Sequence, residues 1–144
     1  MEIEGKTVLV LGGWGLVGSA VCRRLMAEKP GRVVVTSLIK SEADEIVQAL
    51  RQEYPRVGKH FLIPWWGNIF VPHDLKDLTR EQVLSNRRLR GELLEDTLAE
   101  LTEKLLKRSA MFQLLNKFKP EIIVDCINSA TAIAYQDVFQ SARD

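Results

Sequence analysis

At 144 residues, with 46% hydrophobic and 27% charged residues, the chain has the make-up of one ordinary globular domain, and its 20 Lys plus Arg against 19 Asp plus Glu leave a formal charge of +1. That balance excludes a general nucleic-acid binder, which needs a basic excess, and no apolar run approaches the ~18–20 residues that cross a bilayer. Cys22 and Cys126, far apart within apolar stretches, exclude a disulfide scaffold and a cysteine zinc site. Together with the acidic start Met1-Glu2-Ile3-Glu4, unlike a secretory signal, they lead us to expect a cytoplasmic protein.

In chain order, the β-branched run Thr7-Val8-Leu9-Val10-Leu11 ends against glycine and predicts a strand buried on both faces. Four of the nine glycines, Gly12, Gly13, Gly15 and Gly18, follow within seven residues. Val17, Val21 and Leu25, at i, i+4 and i+8, then predict an amphipathic helix that Pro30-Gly31 ends. Residues 32–38 (Arg-Val-Val-Val-Thr-Ser-Leu) predict a second buried strand. Ser41, with Asp44 three positions on, predicts a capped second helix whose apolar face is Ala43, Ile46, Val47, Leu50 and Tyr54. Residues 60–63 predict a short third strand, with a turn through Pro64-Trp65-Trp66-Gly67-Asn68, and residues 121–127 predict a fourth strand. Strand and helix alternate, so the expected fold is α/β: a single domain over 1–144 with a Rossmann-type parallel sheet of order 3-2-1-4 and helices on both faces.

The connection between the third and fourth strands is far longer than the dozen or so residues a crossover needs. It predicts a helical insertion at about 74–118 that enlarges the crossover. From Gly91 to Phe118, Leu94, Leu98, Leu101, Leu105, Phe112 and Leu115 recur at helical spacing. One helix of that length would reach roughly 40 Å at 1.5 Å per residue. Its leucine stripe would need a partner, either a second copy, making a homodimer through helix 91–118, or the 75–89 segment folded back as a hairpin.

The glycine cluster carries the functional expectation. A buried strand, a glycine loop and a helix make a context in which backbone N–H groups and the positive end of a helix dipole face an anion. Gly13, Gly15 and Gly18 fit G-x-G-x-x-G, and Gly12, Gly15 and Gly18 fit G-x-x-G-x-x-G. Ser19 stands where a P-loop requires lysine, which excludes a P-loop NTPase. The loop formed by Gly12, Gly13, Trp14, Gly15, Leu16, Val17 and Gly18 is therefore expected to receive a dinucleotide pyrophosphate. A branched side chain at Gly15 would fill that space and force an unfavourable backbone angle.

Residues 6–37 resemble the opening βαβ unit of the short-chain dehydrogenase/reductase superfamily, in particular its extended branch of NAD-dependent epimerases and dehydratases. Gly67-Asn68-Ile69 is similar to the branch's Gly-Asp-Ile segment, and Asn128-Ser129-Ala130-Thr131 to its Asn-Asn-Ala-Gly or Leu-Ala-Ala segment. The resemblance implies that Asn68 and Ile69 contact adenine, and that Asn128, Ser129 and Ala130 line the passage from the adenosine ribose toward nicotinamide. Turn chemistry at Gly-Asn accounts for Asn68 equally well.

Two departures matter. Where the ribose commonly meets an acid, about 20 residues past the loop, the chain has Thr36-Ser37-Leu38-Ile39-Lys40, with Glu42 and Asp44 falling later. Hydroxyls at Ser37 and its neighbour plus the Lys40 ammonium tolerate a 2′-phosphate, so NADP is favoured over NAD, although Lys40 could equally be a solvated lysine. The superfamily's proton-transfer Tyr-x-x-x-Lys is also absent, because Tyr54 is followed four on by Gly58 and Tyr135 by Phe139. The resemblance therefore implies the cofactor-binding part of a longer oxidoreductase or epimerase/dehydratase, with no catalytic residue of its own and no turnover alone. The alternative is a non-catalytic dinucleotide-sensing, scaffold or dimerisation module.

The remaining candidates are weak. His60 and His73 lack ligand spacing, so no metal is expected. Arg80, Arg87, Arg88 and Arg90 are diluted by Glu81, Glu92 and Glu95 and suit a solvated face. Trp65 and Trp66 could stack on a ligand, but cover for the sheet edge is the favoured role.

Overall fold

Val8, Leu9, Val10, Val33, Val34 and Val35 are all fully buried, which requires apolar layers on both faces of the strands they occupy. The computed structural model describes residues 2–127 and supplies both layers. The elements are β1 (Thr7–Leu11), α1 (Leu16–Met26), β2 (Arg32–Ser37), α2 (Lys40–Glu53), β3 (Leu62–Trp66), a 3₁₀ turn (His73–Leu75), α3 (Arg80–Ser85), α4 (Arg87–Leu98), α5 (Glu103–Arg108), α6 (Ala110–Phe118) and β4 (Ile122–Asp125). The four strands pair in parallel in the order β3-β2-β1-β4, as the alternation predicts. Val10 lies opposite Val35 on one side and Val124 on the other. The fold is α/β and Rossmann-like.

The strand period of two divides the core. Val8, Val10, Val33 and Val35 meet Cys22 and Leu25 of α1 and Ile46, Val47 and Leu50 of α2. Leu9, Leu11 and Val34 meet Trp65 and, from α6, Ala110, Leu114 and Phe118. Among the described residues, helix α6 is thus the one helix in the core on that second face around β1. Leu114 is fully buried there, and Leu114→Ala is expected to lower the unfolding free energy by about 2–5 kcal/mol in urea titrations.

Four expectations need correction. Helix α2 begins at Lys40 without a side-chain cap, so Ser41 lies inside its first turn rather than at its N-cap. Strand β3 runs later than the His60–Ile63 reading and takes in Pro64, Trp65 and Trp66. Proline is tolerated there because β3 is the edge of the sheet. Trp65 packs in the core, and the Trp66 ring lies beneath the ammonium groups of Lys40 at 5.0 Å and Lys76 at 5.4 Å, so both indoles serve as cover. On α1 the sheet-facing residues are Gly18, Cys22 and Leu25, while Val17 is 57% exposed.

The fourth correction concerns the insertion, which is not one long helix. It breaks between α4 and α5 and again at Ser109. Thr102 and Ser109 accept from the N–H groups of Leu105 and Phe112, and each therefore starts a new helix. Asn86 and Thr79 cap α4 and α3 in the same way. Leu105 is buried, Leu101 is exposed, and α3 packs beside α4. The continuous leucine stripe on which the homodimer expectation rested is therefore absent. Among the described residues no helix is long and apolar enough to cross a membrane.

Candidate functional site

All four strands end on the same side of the sheet, and the order reverses between β1 and β4, since β2 and β3 lie on one side of β1 and β4 on the other. Open parallel sheets bind ligands in the crevice beyond the carboxyl ends of the strands at such a reversal. A cleft of about 530 Å³ lies there. Gly12, Gly15, Leu16 and Val17 line it after β1, Thr36, Ser37 and Leu38 at the end of β2, Gly67, Asn68, Ile69 and Phe70 after β3, and Cys126 and Ile127 after β4.

Backbone hydrogen bonds build the glycine loop. Gly13 N–H donates to Thr36 O at 2.8 Å, Cys126 N–H donates to Leu11 O at 2.9 Å, and the buried Thr36 hydroxyl donates to Val10 O at 3.2 Å. Gly12 turns with φ +72°, and a Cβ there would stand 2.9 Å from Cys126 O. At Gly13 a Cβ would meet Val35 Cγ1 at 2.3 Å, and at Gly18 it would meet Gly12 O at 2.0 Å. These three glycines are demanded by the packing of strand, loop and helix.

Gly15 differs. Its backbone, at φ −61° and ψ 168°, is open to any residue, which corrects the expectation of an unfavourable angle. A Cβ would have one neighbour, Gly12 O at 3.5 Å, an ordinary contact. The fold leaves room for a side chain at Gly15, and that room belongs to the cleft. Gly15 is also the N-cap of α1, which has neither a side-chain cap nor an acidic residue in its first turn. Each of the other described α-helices has a capping side chain or a first-turn carboxylate. The orphan N–H groups and positive dipole end of α1 are thus unanswered at the cleft.

The walls are apolar. Leu16, Val17, Leu38 and Phe70 are 91%, 57%, 60% and 68% exposed around one opening. At the far wall Asn68 Oδ1 accepts from Phe70 N–H at 2.9 Å, the turn chemistry expected of Gly-Asn, while Asn68 N–H donates to Lys76 O at 2.9 Å. Lys76 secures this corner further, because its Nζ donates to Trp66 O at 3.0 Å and its stem lies against Gly67.

Of the expected site residues, the cleft therefore unites Gly12, Gly15, Leu16, Val17, Ser37, Asn68 and Ile69. Gly13 and Gly18 are packed behind it. Trp14 turns toward α2, where its indole N–H donates to Glu45 Oε2 at 3.1 Å. Lys40 pairs with Asp44 across one helical turn, its ammonium lies over the Trp66 ring, and it is not among the residues that line the cleft. Asn128, Ser129 and Ala130 lie outside the described residues. Sequence reasoning missed Leu38, Phe70 and Ile127, which no motif marks, and Cys126, whose apolar setting suggested only a core thiol.

The cysteines differ in setting. Burial, reinforced by nearby Cys126 and opposed by Arg23, pushes the Cys22 thiol from 9.0 to about 12, and burial followed by the Asp125 charge raises Cys126 as well. A thiol held protonated in the fold lets the unfolded chain ionise first, so the Cys22 contribution is complete below pH 9 and is lost as pH rises toward 12. Iodoacetamide at pH 8 is expected to leave Cys22 unlabelled in the native protein and to label it fully in urea, as read by mass spectrometry. Among the described residues, no group of three His, Cys, Asp or Glu side chains is placed to hold a metal.

Fold and cleft together define a Rossmann-like α/β protein with a glycine loop bordering the cleft. No protein-family model and no curated protein matches the chain. Among solved structures it is similar to the X-ray structure of Pen from Bacillus thuringiensis, with 26% identity over 51% of this chain and 21% of that one, at a TM-score of 0.39. The chain thus spans about one fifth of that protein's length, and a likeness at this level contributes nothing to the functional argument.

Proposed function

We propose that the chain is an NAD(P)-binding domain whose loop at 12–18 receives the dinucleotide pyrophosphate, serving an oxidoreductase or epimerase/dehydratase of the short-chain dehydrogenase type. One observation carries the reading: Gly15 is a glycine the fold does not need, placed where a side chain would fill the cleft beside the uncapped start of α1. A pyrophosphate accounts for both features, since it needs close backbone approach and accepts from free N–H groups. The apolar rim of Leu16, Val17, Leu38 and Phe70 suits the faces of a base and sugar.

When bound, the dinucleotide would supply hydride-transfer chemistry. This chain's part is to hold and orient it. The N–H groups of the first turn of α1 receive the phosphates, Ser37 faces the adenosine ribose, and Asn68 and Ile69 border the base. The sequence contains no Tyr-x-x-x-Lys, so proton transfer to a substrate belongs, in this proposal, to residues of a larger protein. Calorimetric titration with NAD and with NADP tests the reading. Stoichiometric binding of either, competed by AMP, is the expected result, and heat from neither would overturn it.

A further inference from the structure

Helix α4 is the least integrated element of the insertion. None of its 12 residues is buried, and its main packing neighbour among the described helices is α3. A helix of that length is marginal in water without tertiary cover. Leu89 and Leu93 are half-buried, whereas Leu94 and Leu98, one turn apart on the outward face, are 51% and 49% exposed. Beyond Leu98 the apolar surface continues to Leu101, 77% exposed, and to a cavity of about 370 Å³ whose lining includes Leu101, Leu105 and Leu106. The charges of α4 run against its own dipole. Arg87, Arg88 and Arg90 stand in its first half and Glu92, Glu95 and Asp96 in its second, an order that weakens a lone helix. Within the chain, Arg88 meets Glu92 at 3.2 Å and Glu95 meets Arg108 at 3.4 Å, yet the Arg88 side chain remains 83% exposed.

We propose that the outward face of α4 binds α4 of a second copy of this chain, antiparallel across a two-fold axis, with Leu94 and Leu98 at the seam. This surface is separate from the cleft and needs only α4, not one continuous helix over 91–118. Antiparallel pairing lays the basic half of each helix beside the acidic half of the other, so the inverted charges and the opposed dipoles both become favourable. Arg88 and Glu95 lie on one flank of the outward face, seven residues and about 10 Å apart along the axis, too far to pair with each other. Across the two-fold axis Arg88 of each copy faces the partner's Glu95, and symmetry forms the pair twice. The self-complementary charge order is what selects a second copy over an unrelated apolar partner. One helix pair buries an area at the low end for stable interfaces, so the expected Kd is roughly 1–100 µM.

Sedimentation equilibrium on the 144-residue chain, without nucleotide, is expected to show a reversible shift from the 16.3 kDa monomer to a dimer between about 1 and 500 µM. Arg88→Glu alone and Glu95→Arg alone, both at exposed positions, should each weaken self-association about tenfold or more. An equimolar mixture of these two variants should associate within about threefold of the unaltered chain, because each contact then joins opposite charges again. Such rescue by mixing requires that the pair form between copies. Leu94→Lys combined with Leu98→Lys should abolish association while circular dichroism shows an unchanged fold, since both side chains are exposed. A monomer at every concentration would overturn the proposal. So would a dimer indifferent to the two leucine substitutions, or a mixture that associates no more tightly than its single variants. With no nucleotide present, none of these outcomes bears on the dinucleotide reading.

Discussion

Gly18→Ala is expected to lower the unfolding free energy by about 3 kcal/mol or more, the upper range for overpacking a closed site. The added methyl carbon would lie 2.0 Å from Gly12 O and 2.8 Å from Gly12 C and Gly13 Cα, and every one of those atoms is backbone. No rotamer change relieves such a clash. Either α1 lifts from the loop, releasing Cys22 and Leu25 from the core, or the turn at Gly12 is rebuilt. Gly91→Ala is the matched control. Gly91 lies in α4, and a Cβ there meets nothing within 4 Å, so the change should be neutral or stabilise by up to about 1 kcal/mol through helix propensity. Urea denaturation of the two variants beside the unaltered chain reads the contrast. Equal stability of all three would mean that α1 does not approach the loop as described.

Gly15→Val is expected to do the reverse, keeping the fold and losing the ligand. At φ −61° and ψ 168° valine is an allowed residue, and its Cβ makes a single contact, at 3.5 Å. The melting temperature should therefore stay within a few degrees of the unaltered chain. Dinucleotide affinity should fall about 100-fold or more, equivalent to about 2.7 kcal/mol, because the branched side chain occupies the space assigned to the pyrophosphate. Wild-type affinity in a folded Gly15→Val protein would falsify that assignment. Paired with Gly18→Ala, the variant separates glycines that build the loop from the glycine that leaves it open.

Much of the framework was legible before any coordinate. The runs at 7–11 and 32–38 are apolar without alternation, and only a strand covered on both faces carries such a run, so their place in the interior of a parallel sheet follows locally. The face of α2 formed by Ala43, Ile46, Val47 and Leu50 was equally plain, since side-chain bulk repeats there at the helical period. Helix α1 misled for a physical reason. Its closest approach to the sheet is made by Gly18, which has no side chain and leaves no mark in a hydrophobic pattern, so the valine stripe stood in for the true face. The insertion misled for another. Leucine spacing continues across Ala99 to Thr102, but Thr102 and Ser109 bond the N–H groups of the residues three positions on and restart the helix each time.

What the sequence by itself determined is the order of elements, the parallel sheet they imply and a glycine loop between a buried strand and a helix. Each of these rests on contacts or backbone preferences only a few residues apart. Which glycines serve the fold and which the cleft was decided only by the tertiary structure, because that depends on where Val35, Cys126 and Gly12 O arrive from other elements. The charge beside Ser37 was decided in the same way. Glu42 follows it by five positions, a separation with no meaning on either a strand or a helix, and becomes its partner because the chain turns sharply from β2 into α2. Hydrogen bonds across such a turn depend on its backbone path, and no periodicity in the sequence records that path.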